Sequence, residues 1–210
     1  MALAQGKALW EAWKNPADYY AIEWKDKALE KAVRDVTGIY FRAIRYNDLK
    51  SIERFDLENS KISDISVLSG MTNLEYLNLE RNQISDISPL SGLKNLKYLD
   101  LELNQISDIS PLSDMRNLKK LYLSYNQISD VSPLSGLTNL EYLSLGSNQI
   151  SDIRALGDLT NLYVLELYNN QIGDVSPLRG MKELYDLNLR NNQITDFSPV
   201  EGLDIWGLYK

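Results

Sequence analysis

The chain has 210 residues, 44% apolar and 24% charged, with a net charge of −7 and no cysteine or histidine. Those two absences exclude disulfides, zinc–thiolate centres, cysteine nucleophiles and histidine-dependent catalytic triads. No apolar run approaches the roughly 20 residues that a membrane span requires, and the acidic part of the chain, residues 54–210 with 13 basic and 21 acidic side chains, is unsuited to nucleic acid.

Residues 1–53 carry 9 basic and 8 acidic side chains and read as a helical N-terminal cap with an aromatic extension. Leu9, Trp10 and Trp13 are helix-spaced before Asn15-Pro16 interrupts them, which suggests an extra helix packed on the cap or a tryptophan-rich partner-binding segment. No basic stretch followed by an apolar one opens the chain, so no signal peptide is read; Met1-Ala2-Leu3-Ala4 is consistent with a start added to a mature, secreted domain. Ile22-Glu23-Trp24 is expected to be a short strand. Asp26 is placed to N-cap a helix running through Val36 and ending at Gly38, with Ala28, Leu29, Ala32, Val33 and Val36 on its apolar face. Phe41-Arg42-Ala43 is more apolar than a loop needs and is a candidate dock for the first helix. Asn47–Ile52 reads as a second short helix.

From residue 54 a 22-residue period takes over. Phe55, Leu77, Leu99, Leu121, Leu143, Leu165 and Leu187 form one column, and Leu57 to Leu189 form another two residues later. A fixed period of this size marks a solenoid whose units share one core, so seven repeats, the last irregular, and the cap form one continuous domain. Within the unit Leu74–Asn95, Leu77 and Leu79 alternate with Asn78 as a strand does, with the leucines turned inward. Ile84, Ile87, Leu90 and Leu93 fill the remaining core. Ser88-Pro89 reads as the start of a one- or two-turn helix, expected to be 3-10, with serine as its cap. Gly92 suits the turn back to the next strand.

Two polar columns repeat with the leucines. Asn82, Asn104, Asn126, Asn148, Asn170 and Asn192 follow each strand where backbone groups lose their partners, so a buried ladder of side-chain amides is expected, with Ser60 the exception in the first unit. Asp64, Asp86, Asp108, Asp130, Asp152, Asp174 and Asp196 stack at the spacing of neighbouring strands and should repel unless each accepts backbone N–H bonds in its turn. A row of calcium sites is the rival reading, but the glycine-rich spacing of such motifs is missing. No metal and no cofactor are therefore expected.

The motif L-x-L-x-x-N-x-I-x-D-I-x-P-L-x-x-L-x-N-L, nearly intact at Leu77–Leu96 and Leu121–Leu140, resembles that of the internalin-type bacterial leucine-rich repeat proteins over about residues 54–204. The resemblance implies an α/β fold: a curved leucine-rich repeat solenoid with a parallel β-sheet on the concave face, 3-10 turns on the convex face and a helical N-terminal cap. It also implies a secreted or cell-surface protein that binds another protein through the concave face.

The outward strand positions are where such a partner would be met. They carry Tyr76, Glu80 and Arg81; Tyr98, Asp100 and Glu102; Lys120, Tyr122 and Tyr125; Tyr142; Glu166 and Tyr168; and Arg190. Tyrosine offers a large rigid contact with a polar tip, although strands also favour it for their own sake. Tyr76, Tyr98 and Tyr142 share a column that Lys120 breaks. Alanine at Tyr98, Tyr122 and Tyr142 together is expected to abolish partner binding and leave stability nearly unchanged. A glycosidase-type carboxylate pair among Glu80, Asp100, Glu102 and Glu166 would need one raised pKa in a dry cleft, which an open sheet does not provide. The reading is therefore a non-catalytic protein-recognition module without nucleic-acid or membrane-insertion roles, monomeric, with end-to-end association if the last coil is bare. An engineered repeat scaffold built on such a module is the alternative. At the C-terminus Ile205 stands where asparagine is expected, and Trp206, Leu208 and Tyr209 are candidates to cover the final coil.

Overall fold

The computed structural model describes residues 20–210. The expectations for Leu9, Trp10 and Trp13, and for a dock at Phe41 that depends on them, lie outside those residues. The cap consists of helix α1, Lys27–Thr37, and the single turn α2, Tyr46–Leu49. Asp26 caps α1 by accepting from the Ala28 and Leu29 N–H groups, and Gly38 ends it with φ 70°, a left-handed conformation that costs glycine least. Ile22-Glu23-Trp24 forms no strand. Ala21 makes an isolated antiparallel bridge with Arg45, and the Ile22 N–H donates to the Ile44 carbonyl at 2.9 Å. Leu29 and Val33 are buried, whereas Val36 is exposed, so the apolar face of α1 is narrower than its sequence suggests. Asp26 also ties the cap to the first coil, its second carboxylate oxygen accepting from the Ser63 N–H at 3.0 Å.

Eight three-residue strands follow in one parallel sheet whose order is the chain order: β1 Arg54–Asp56, β2 Tyr76–Asn78, β3 Tyr98–Asp100, β4 Lys120–Tyr122, β5 Tyr142–Ser144, β6 Val164–Glu166, β7 Asp186–Asn188 and β8 Gly207–Tyr209. Each leucine pairs with the leucine of the next coil, from Leu77 with Leu99 to Leu165 with Leu187. A single contiguous core runs from the cap to Val200, and the leucine and isoleucine columns within it are almost wholly buried. Stacked coils bury what no single coil could hide, which is why the array folds as one body.

Each of the strands β1 to β6 is followed, across the core, by a short 3-10 segment such as Ser88–Leu90, Ser110–Leu112 and Ser132–Leu134, and β7 by a single α-helical turn, Ser198–Glu201. Serine is not its cap. The aspartate two residues earlier accepts the serine N–H, as Asp86 does from Ser88, Asp108 from Ser110 and Asp130 from Ser132, each at 2.8 Å. These bonds hold the carboxyls of Asp108, Asp174 and Asp196 below the ordinary aspartate value. At Asp152 the adjoining Arg154 guanidinium is the larger cause and brings the carboxyl down to about 2. Among the described residues no cluster of acids is arranged to hold a metal ion. Gly92 has no left-handed backbone, so the turn back to the strand does not require it.

The last step differs from the others. Leu187 pairs with Leu208 and Asp186 with Gly207, a spacing one residue short of the repeat. Ile205 therefore takes the place of the first strand leucine and packs against the core with Leu208. Trp206 does not cover the coil; it is 76% exposed.

Candidate functional site

Where the chain leaves the sheet, each ladder asparagine joins two coils. The Asn126 amide donates to the Leu101 carbonyl of the preceding coil at 2.9 Å and to the Leu123 carbonyl of its own at 3.1 Å. Its oxygen accepts from the Ile106 N–H at 3.0 Å. Asn82, Asn104, Asn148, Asn170 and Asn192 repeat this arrangement. A second ladder, which sequence reasoning passed over, runs along the flank: the Asn73, Asn95, Asn117, Asn139 and Asn161 amides each donate to a carbonyl of the preceding coil at 2.7–3.0 Å. Its sign in the sequence is the asparagine that precedes the first strand leucine from Leu74 to Leu162, with Glu183 replacing it before Leu184.

The backbone beside the first ladder is left-handed. Arg81, Leu103, Tyr125, Ser147, Asn169 and Asn191 all have φ between 53° and 57°. Side chains other than glycine and asparagine are disfavoured there by roughly 1–2 kcal/mol. The position turns the chain out of the sheet and fixes where the concave face ends.

On that face the tyrosines form one continuous ladder. The Tyr76 and Tyr98 rings stack at 4.3 Å, Tyr98 and Tyr122 lie 5.3 Å apart, and Tyr122 and Tyr142 4.6 Å apart. Tyr122 comes from the neighbouring column and fills the gap that Lys120 leaves. The guanidinium of Arg54, a residue sequence reasoning did not single out, lies 4.1 Å over the Tyr76 ring and closes the ladder at that end. Tyr125 meets Tyr168 edge to face at 6.3 Å. The Tyr168 ring lies against the backbone of Gly146, where a Cβ would stand 2.3 Å from it. The rings of Tyr98, Tyr122 and Tyr142 are half-buried and brace one another, so replacing them should cost stability as well as binding.

The acids divide by depth. Asp100 is only 6% exposed and belongs to the floor of the face, where it accepts from the Glu102 N–H at 3.0 Å and the Tyr98 hydroxyl at 3.3 Å. Burial is the main reason its carboxyl is pushed up to about 6, with Glu80 adding to it. Burial also raises Glu102, and Asp100 reinforces that rise. The fully buried Ser124 and Ser144 hydroxyls bond to each other, and Ser144 also lies 2.7 Å from Glu166 and 3.3 Å from Glu102. Burial raises the phenols of Tyr98, Tyr122 and Tyr142, with neighbouring carboxylates adding to each, and raises Tyr168 to about 12. A carboxyl with a raised pKa is thus present on the sheet, held up by burial beneath the tyrosines.

The remaining predicted residues sit apart from this cluster. Arg81 pairs with Glu80 at 3.4 Å and Glu58 at 3.6 Å toward the N-terminal end. Arg190 lies 4.5 Å over the Tyr209 ring at the C-terminal end, and Lys120 is exposed between them. A separate aromatic stack, also missed, runs along the flank through Tyr163, Tyr185 and Trp206 at 4.9 and 5.7 Å, its members all at the second position of their coils.

The family described as Leucine Rich repeats (2 copies) matches residues 72–114, 116–161 and 160–202. Among solved structures, an internalin C2 of Listeria monocytogenes is 37% identical, with a TM-score of 0.71 over 86% of this chain and 91% of its own. The chain belongs to the internalin-type leucine-rich repeat family. A second Listeria monocytogenes internalin, inlF, is 30% identical with a TM-score of 0.54, covering 89% of this chain and 75% of that one. The plant peptide hormone receptor RGFR1, solved in complex with RGF2, is 28% identical with a TM-score of 0.63, covering 71% of this chain and 26% of the receptor. A search of the curated proteins finds no match. Among the described residues of this internalin-type chain no helix is long and apolar enough to cross a membrane.

Proposed function

We propose that this chain is a non-catalytic recognition module that binds a protein or peptide partner on its concave face, as a secreted or surface-displayed protein. The observation that carries the reading is the tyrosine ladder from Tyr76 to Tyr142 set beside half-buried carboxylates on an open sheet. Aromatic rings of this kind supply rigid contact area and are enriched where interfaces hold most of their energy. The receptor relative solved with its peptide is in keeping with it. Asp100 has the raised pKa that an acid catalyst needs, yet it is buried beneath the face and its oxygens are committed to the Glu102 N–H and the Tyr98 hydroxyl. The flank is the weaker candidate: its hollow of about 570 Å³ is lined by Asn117, Asn139 and Asn161, already engaged in their ladder, and by the Lys119–Glu141 ion pair.

The test is a capture experiment with three baits. Any partner retained by the wild-type chain should be lost on the concave variant Lys120→Glu/Tyr125→Ala, whose residues are exposed, and kept on the flank variant Tyr163→Ala. Loss on the flank variant alone would overturn the assignment.

A further inference from the structure

We propose that the stretch of concave face between β3 and β6 receives an arginine side chain of the partner, its guanidinium over the Tyr122 and Tyr142 rings and its N–H groups on the Glu102 and Glu166 carboxylates. The inference rests on the concave face being the binding surface and names the chemistry it takes.

Charge is distributed along the face in a way that leaves this stretch unmatched. At each end the chain supplies its own guanidinium to a ring: Arg54 over Tyr76 and Arg190 over Tyr209. Between those ends, among the described residues, no cation lies over Tyr98, Tyr122 or Tyr142, and neither Glu102 nor Glu166 forms an ion pair. Lys120 is the one basic side chain at the outward positions of β3 to β6, against Asp100, Glu102 and Glu166. The arrangement that the chain uses at its ends is thus prepared in the middle and lacks the cation.

The two carboxylates also have acceptor capacity to spare. Glu102 meets the Ser124 and Ser144 hydroxyls and Glu166 the Ser144 and Tyr142 hydroxyls, while each ionised carboxylate offers about four acceptor sites. A guanidinium brings five donors in a planar fork that stacks on rings and bonds carboxylates two at a time. Lysine offers a point charge and no plane, so the site fits arginine better. Half-burial of these acids strengthens the attraction over what it would be in open water.

A random dodecapeptide library displayed on phage, selected against the full chain, tests this. The selected peptides are expected to be enriched in arginine. Glu102→Gln/Glu166→Gln, which preserves shape, should weaken a selected peptide about tenfold or more. Citrulline in place of the peptide's arginine should cost the wild-type chain as much, and should cost the double variant little, because the two changes remove one interaction. Peptides that lack an arginine excess and bind the double variant unchanged, but are lost on Lys120→Glu/Tyr125→Ala, would overturn the arginine site and leave the concave face standing. Peptides indifferent to every concave change, or a selection that yields no binder, would overturn both.

Discussion

Two ladders climb this solenoid side by side, and they are held to different standards. The asparagine ladder inside the turn uses one residue type at one register from Asn82 to Asn192, because each amide must reach backbone groups of two coils at once. The tyrosine ladder on the concave face changes column at β4, where Lys120 stands in its place and Tyr122 fills in, and it ends where Val164 follows Tyr142. Directional bonds to backbone enforce repetition; ring contacts accept several geometries and tolerate its loss. Variation is therefore concentrated on the face that lacks a backbone quota to fill.

The comparison can be broken first at the stricter ladder. Asn126→Ala orphans the Ile106 N–H and leaves the Leu101 and Leu123 carbonyls to the Asn104 and Asn148 amides alone, and should lower stability by about 1–3 kcal/mol, read from the urea unfolding midpoint. Tyr122→Ala removes two ring contacts and should cost roughly 2 kcal/mol, with the loss distinguishing a brace from a mere decoration. Asp100→Asn should act in the opposite sense. Burial holds the folded carboxyl at about 6, above its ordinary value of 3.8, so the folded chain binds that proton more tightly. The group's favourable contribution is complete below pH 4 and is lost as the pH rises through 6. The variant's gain over wild type should build between those limits and reach about 1–3 kcal/mol above pH 6, visible as a flatter dependence of the unfolding midpoint on pH. The smallest effect is expected at the left-handed turn: Leu103→Asn should stabilise by about 0.5–1 kcal/mol in thermal unfolding, whereas the same change at a strand leucine would not.

The leucine columns and the inner asparagines were readable from the sequence because burial and backbone satisfaction repeat at every coil, and periodicity registers whatever is required every time. The family and the solenoid followed from them. The left-handed position was not readable, since Arg81, Leu103 and Tyr125 carry no glycine to announce it and the conformation is imposed by the turn rather than preferred by the residue. The depth of Asp100 was equally hidden: its outward strand position suggested exposure, but the tyrosines beside it close over the floor. The capping role fell to aspartate instead of serine because the 3-10 segment begins one residue earlier than the Ser-Pro pair implies, so that the serine lies inside it and its N–H donates to the aspartate. Arg54 was missed because it precedes the first tyrosine of its column by one coil.

Gly146 and Tyr168 occupy the same slot of successive coils, and the ring rests where any larger residue would stand. The units are therefore not interchangeable modules. Duplicating the Tyr168 coil onto itself, or exchanging it with its predecessor, would set a side chain against that ring. Recombination at this junction is constrained in a way that the uniform leucine spacing conceals, and any rearranged array would have to carry the two coils together as a single inherited pair.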